Sequence, residues 1–290
     1  MASADMSLPL FIEPGQVETL LADDGIVIVD LCKPEVHSQL HVPGARPLDY
    51  GMLLGGVKPA IGLLPTRDRL NQLCATLGIH PDSRVVAYDD EGGGRACRLA
   101  WNLHVMGFHR VSVIDGGIHA WANEGHPVTA EPTPAHSPGS FSIAEIEGSA
   151  LAVRDYVAAR VADGASTLFD SRSAEEYTGQ KAFAQRGGHI PGAINLNWLD
   201  TMDRNRNLRL KTRDSLESQL DALGFHPGDE IITYCQTHHR SSHSYLMLKH
   251  LGFERVRGYA GAWAEWGNDS SLPVATGPEP GGTHTISPTD

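Results

Sequence analysis

The chain has 290 residues, 41% hydrophobic and 20% charged, proportions ordinary for a globular protein and too apolar for a disordered one. That length suits two domains of about 130 residues each better than one. A net charge of −12 with no basic stripe of interleaved aromatics argues against nucleic-acid binding, and no apolar run is long enough to span a membrane.

In chain order, the start from Met1 to Pro9 lacks a basic segment followed by an apolar one, so a cytoplasmic address is expected. Val27-Ile28-Val29-Asp30 then reads as a strand, and Thr66 to Leu77 as a helix with Gly78 at its left-handed cap. Val85-Val86-Ala87-Tyr88 is the next strand, and Arg95 to Met106 the next helix, ended by Gly107. Thr129 to Gly139, rich in Pro and Ala, reads as a linker. Beyond it the alternation resumes with the strand Thr167-Leu168-Phe169-Asp170 and the helix Asp214 to Leu223. The strand Ile231-Ile232-Thr233-Tyr234 and the helix Ser241 to Leu251 follow, with Gly224 and Gly252 as the caps. Such alternation predicts an α/β fold in each half, a mainly parallel sheet flanked by helices. The expected division is a first domain over 8–128, a linker over 129–149, a second domain over 150–275 and a flexible Gly- and Pro-rich tail over 276–290.

The two halves repeat one another. Leu77-Gly78-Ile79-His80-Pro81 returns as Leu223-Gly224-Phe225-His226-Pro227, and His41-Val42-Pro43-Gly44-Ala45 returns as His189-Ile190-Pro191-Gly192-Ala193. Met106-Gly107-Phe108 answers Leu251-Gly252-Phe253, and Trp121 answers Trp266. Superimposing the repeats on Tyr88 and Tyr234 sets Asp89 against Cys235. The first-half loop, Asp89-Asp90-Glu91-Gly92-Gly93-Gly94-Arg95, is one residue longer, has no sulfur and would repel an anion, so the first half is expected to be catalytically silent.

The four cysteines show no disulfide or zinc-site spacing and read as reduced thiols. Cys32, Cys74 and Cys97 sit in apolar or helical surroundings and are read as small core residues. Cys235 differs. It follows a buried strand and opens the loop Cys235-Gln236-Thr237-His238-His239-Arg240, where backbone N–H groups, a helix N-terminus and a fixed cation all favour a thiolate. The Cys-x4-Arg spacing is one residue shorter than a phosphate cradle, and the smaller loop suits a persulfide sulfur better than a phosphate. The run Arg204, Arg206, Arg209, Lys211, Arg213 is the one basic cluster, and it reads as a solvated loop face rather than an anion trap.

These features resemble the rhodanese family of sulfurtransferases, specifically the two-domain thiosulfate sulfurtransferases. The resemblance covers roughly Pro9 to Val274 and rests on Asp170-Ser171-Arg172, Gly188 to Ala193, the loop at Cys235 and Tyr259-Ala260-Gly261-Ala262-Trp263-Ala264-Glu265-Trp266. It implies two tandem rhodanese-like domains, the second active, and transfer of sulfane sulfur from thiosulfate or a related donor to cyanide or a thiol through a Cys235 persulfide, with no other cofactor. A protein acceptor is a further implied partner. The loop lacks the basic residues of animal thiosulfate enzymes and the Cys-Gly-Ser-Gly of mercaptopyruvate enzymes, and is similar to that of certain bacterial thiosulfate sulfurtransferases. Trp198 has a counterpart near their cysteine.

Cys235 and Arg240 are therefore the expected catalytic pair, Cys235 as nucleophile and Arg240 stabilising its anion or bonding loop carbonyls. Gln236, Thr237, His238, His239, Arg186 and Trp198 are the expected substrate-binding residues. Each has a plainer reading as well. The two histidines either orient the donor or are half-exposed loop residues; Arg186 either binds the donor's anionic end or is a surface charge; Trp198 either shields the persulfide or packs. His189 reads as a core or turn histidine. A metal on Cys235, His238, His239 and His243 is disfavoured because it would consume the thiolate. A sulfur carrier or sensor stays open as a second function, as does a mercaptopyruvate sulfurtransferase; a phosphatase is disfavoured by the short loop.

Overall fold

The computed structural model describes residues 8–164, 166–282 and 284–286. Residues 1–7, on which much of the cytoplasmic expectation rests, and the last four residues of the tail lie outside the described ones.

Contacts divide the chain into two units that interleave in sequence. One comprises residues 1–52, 67–146 and 204–209; the other comprises 53–66, 147–203 and 210–290. A single cut at the linker therefore does not reproduce the division: a segment of the first half, Leu53–Thr66, belongs with the second.

The first unit is built on a five-stranded parallel sheet in the order Phe11–Ile12, Val111–Ile114, Arg84–Tyr88, Ile26–Asp30, Arg46–Pro47. The second repeats it with Leu151–Ala152, Val256–Tyr259, Ile231–Tyr234, Thr167–Asp170, Ile194–Asn195. Register repeats too, since Tyr88 lies beside Asp30 and Tyr234 beside Asp170. The central strands Arg84–Tyr88 and Ile231–Tyr234 are almost wholly buried, which is why they read as unbroken apolar runs rather than alternating ones. Each is followed by a loop at its carboxyl end and then a helix, Gly94–Val105 or Arg240–His250. In an open parallel sheet that is where ligands bind.

The expected helices form as Arg67–Thr76, Gly94–Val105, Arg213–Ala222 and Arg240–His250. Gly78, Gly107, Gly224 and Gly252 all have positive φ just beyond them. The second core gathers Tyr234, Tyr259, Trp263 and Trp266 around Ile232 and Val157. The first gathers Tyr88, Trp121, Val86 and Ile114. The basic run is not a uniform solvated face: Arg209 is buried and pairs with Glu124 and Glu13, while Arg213 donates to the carbonyls of His250 and Leu251. Nor is the chain past Thr276 merely frayed. Val274–Thr276 pairs antiparallel with His284–Ile286, and the Pro280 carbonyl accepts from the Gly192 N–H at 2.7 Å.

Candidate active site

Cys235 is the first residue after the strand Ile231–Tyr234 and is fully buried. Its loop is fixed from several directions. The N–H groups of Trp263 and Ala264 donate to the carbonyls of Cys235 and Gln236, both at 2.9 Å, which explains why the helix Ala262–Trp266 forms part of the recognisable sequence set. His238 adopts φ 54°, in the left-handed region, and the turn it makes buries its imidazole with Nδ1 2.7 Å from Ser241 Oγ. Ser242 Oγ donates back to the His238 carbonyl at 2.5 Å. The helix then begins at Arg240 with His239 as its N-cap.

Burial is the largest influence on the Cys235 thiol and pushes its pKa up, but the combined opposing effects win and hold it below the ordinary value. Those effects are the Arg240 charge, the Ser241 hydroxyl and the N–H groups of Ser241 and Thr237. None of the other cysteines behaves this way. Burial raises Cys32 and Cys97 far above the thiol range and pushes Cys74 up to about 12.

Arg240 is held by a residue the sequence reading missed. Glu176 receives both arms of its guanidinium, Nη1 to Oε2 at 2.6 Å and Nη2 to Oε1 at 2.8 Å. Burial raises the Glu176 carboxyl, yet Arg240 and Arg172 bring it below its usual value, so it stays ionised and keeps Arg240 in place. A sequence signal for Glu176 existed: Ser173-x-x-Glu176 is a capping box that opens the helix Ala174–Thr178. Ser241, which follows Arg240, was also missed. Upstream, buried Arg172 grips Asp170 through Nε at 2.9 Å, donates to the Gly188 carbonyl at 2.7 Å and lies 4.5 Å from the Trp263 ring. It joins three parts of the sequence signature and is itself fully buried.

A pocket of about 920 Å³ opens over this loop. Gln236, Thr237, Arg240, Glu176 and Ala264 line it, and Lys181 and Phe183 are exposed members of the same lining. The segment from the first half contributes Lys58, Pro59 and Ile61. Gln236 is tied to the wall by a bond from Nε2 to the Phe183 carbonyl at 3.3 Å.

Other expected binding residues lie elsewhere. Arg186 is a correction: its guanidinium donates to the carbonyls of Leu272 at 2.7 Å, Trp266 at 2.9 Å, Gly267 and Asp269, so it clamps a loop and has no fork left for an anion. His238 is likewise turned inward. Trp198 is buried, and its ring packs 6.0 Å from that of His239 and 5.6 Å from that of His243, away from the pocket lining. Burial, aided by His239, pushes His243 down to about 4, so it is neutral at physiological pH. His189 is the expected core histidine, stacked on Tyr177 with Nδ1 2.9 Å from the Tyr177 carbonyl.

Comparison with known proteins gives the family. The rhodanese-like domain is matched twice, over residues 13–124 and 153–269. The chain belongs to the rhodanese-like family. A thiosulfate sulfurtransferase of Azotobacter vinelandii is 43% identical over 269 residues, covering 92% of this chain and 97% of that protein. One from Pseudomonas aeruginosa is 40% identical with the same coverages. A sulfur carrier protein, TtuD of Thermus thermophilus, is 32% identical, covering 92% of this chain and 94% of the carrier. Among solved structures, an anaerobic ergothioneine biosynthesis enzyme from Chlorobium limicola superimposes with a TM-score of 0.83 at 22% identity, over 92% of this chain and 70% of that one. At that identity the likeness speaks only to the rhodanese fold. Both rhodanese domains carry it, and Cys235 lies in the second.

Proposed function

We propose that the protein is a sulfurtransferase that moves sulfane sulfur from thiosulfate, or a related anionic donor, to cyanide or a thiol through a persulfide on Cys235. One observation carries this reading. Of four buried cysteines only Cys235 is held below the ordinary thiol pKa, by the Arg240 charge, the Ser241 hydroxyl and the N–H groups of Ser241 and Thr237, in a loop whose next residues line the pocket. Its thiolate attacks the outer sulfur of the donor; the donor's S–S bond breaks and its electron pair leaves with sulfite. The Thr237 and Ser241 N–H groups are placed to hold the negative charge of the resulting persulfide. Cyanide then attacks the terminal sulfur, a C–S bond forms, and the thiolate returns. No cofactor beyond that persulfide is invoked, and the first rhodanese domain is read as catalytically silent. Relatives named thiosulfate sulfurtransferase at 40% identity or more support the choice of donor.

The test is mass spectrometry of the whole chain before and after thiosulfate, and again after cyanide. One sulfur gained on Cys235 and released as thiocyanate, with ping-pong kinetics, is the expected result. Failure to gain sulfur overturns the reading. The relative named as a sulfur carrier favours a second function, delivery of the persulfide to a protein acceptor. That reading predicts slow turnover with cyanide and fast transfer to one protein. We also infer a cytoplasmic address, in keeping with four free thiols and with the absence, among the described residues, of a helix long and apolar enough to cross a membrane.

A further inference from the structure

The proposed donor is an anion entering a protein of net charge −12, so something local must attract it. The obvious cations are committed elsewhere. Arg240 has both arms on Glu176 and its charge turned to Cys235, and Arg186 is enclosed by four carbonyls. Two cations of the lining remain, Lys58 and Lys181. Both are exposed; Lys181 feels the exposed Glu175 carboxylate only through space, and no ion pair to Lys58 or Lys181 is present among the described residues.

Both are also positioned. The Lys181 ammonium lies 4.9 Å from the centre of the Phe183 ring, and that ring is itself part of the pocket wall. Lys58 is carried by the segment Leu53–Thr66, whose backbone is seated directly on the catalytic loop: a side chain at Gly62 would bring a Cβ within 2.3 Å of the Thr237 carbonyl oxygen and 2.9 Å of that of Ala260. Only glycine permits this approach, so the segment has a defined place at the mouth. Pro59, Ile61, Phe183 and Ala264 supply apolar walls, and low-dielectric walls concentrate the field of the two ammonium groups.

We propose that Lys58 and Lys181 form the anion-capture pair of the catalytic pocket and select donors by negative charge, so that one of the two specificity residues comes from the first half of the chain. This inference rests on the sulfurtransferase reading and names how that site recognises its donor. The pair attracts the anionic head while the sulfane sulfur reaches Cys235; no bond changes at either lysine.

The experiment compares the wild-type protein, K58Q/K181Q and K58R/K181R with thiosulfate, a dianion, and benzenethiosulfonate, a monoanion that also carries a sulfane sulfur. In ping-pong kinetics kcat/KM for each substrate reports its own half-reaction. For K58Q/K181Q, kcat/KM for thiosulfate should fall about tenfold, as expected for losing two partly screened attractions. The benzenethiosulfonate value should fall by about a third of that factor, and the cyanide value should change less than about twofold, because hydrogen cyanide predominates at neutral pH. The arginine pair should restore thiosulfate turnover, and added salt should erase the difference between wild type and the glutamine pair. Thermal unfolding confirms that the variants fold. An unchanged thiosulfate kcat/KM, or equal losses for both donors, overturns the proposal. If instead the wild-type chain gains no sulfur from either donor, the sulfurtransferase reading itself fails, which is a separate outcome.

Discussion

The loops at Asp89 and Cys235 occupy the same place in two copies of one sheet and surround an anionic group in the same way. Asp89 Oδ1 accepts from the N–H groups of Glu91 and Gly93 at 3.0 and 2.8 Å, and Oδ2 from those of Arg95 and Ala96 at 2.8 and 3.0 Å. At Cys235 the N–H groups of Thr237 and Ser241 do the same for sulfur. Burial is the largest influence on both groups and opposes ionisation in both, yet the outcomes are opposite: the Cys235 thiol lies below its usual value and the Asp89 carboxyl above its own. The amide cradle is therefore common to both loops and does not distinguish them. The difference is the second charge. Glu91 adds to the penalty at Asp89, and Arg95 is drawn off toward Asp90 and Glu91, whereas Arg240 faces Cys235 and is kept there by Glu176.

The largest expected effect tests whether sulfur chemistry belongs to one loop alone. Cys235→Ser should reduce thiocyanate formation to background with unfolding unchanged, and adding Asp89→Cys to that variant should restore none of it, because the new thiol would face Glu91 without a free cation. Sulfur transfer by the double variant would mean that the amide cradle suffices.

Next in size is Arg240→Ala. It should raise the thiol pKa and slow the first half-reaction by about 10- to 100-fold at neutral pH. The sign follows from the depressed thiol. In the wild type the rate rises with pH through a value below the ordinary thiol pKa, and in the variant the same rise should move to higher pH. A pH–rate profile for kcat/KM of the donor, or the thiolate absorbance, reads the shift. An unmoved profile would leave Arg240 a packing role only.

A smaller change probes the first-half loop. Asp89→Ala leaves four amides without their acceptor and should cost about 2–4 kcal/mol in urea unfolding, with donor kinetics altered less than about twofold. The smallest effect concerns Glu230, just before the central strand of the second repeat, whose counterpart in the first is Arg84 at the start of its strand. Burial raises the Glu230 carboxyl, but Ser166, Tyr156 and Arg257 together hold it at about 2. A carboxylate depressed on folding contributes stability above its ordinary pKa of about 4.3 and loses it as pH falls toward the folded value. Glu230→Gln should therefore lower stability by about 2 kcal/mol at pH 7, and the two proteins should converge near pH 2.

The fold was legible because the sequence states it twice: strands, capping glycines and the His-x-Pro-Gly-Ala turns recur in order, and each copy corrects the ambiguity of the other. The closeness of Cys235 and Arg240 was legible because it is local, a loop between a strand and its helix. What was not legible depended on contacts between distant segments. Arg186 looks like an anion binder until the loop of residues 266–272 folds over it with four carbonyls. His238 looks like a donor-facing residue until its left-handed φ turns the ring inward. Glu176 is separated from Arg240 by 64 positions, and its capping box advertised a helix start rather than a counter-ion.

The seat of Gly62 against the Cys235 loop also bears on how the chain can be divided. The stretch Leu53–Thr66 comes early in the sequence yet belongs with the second unit, so a chain cut back to its second half would lack Lys58, Pro59 and Ile61 from the pocket wall. The boundary of the working unit is set by a stretch of backbone too close for a methyl group rather than by the order of the repeats.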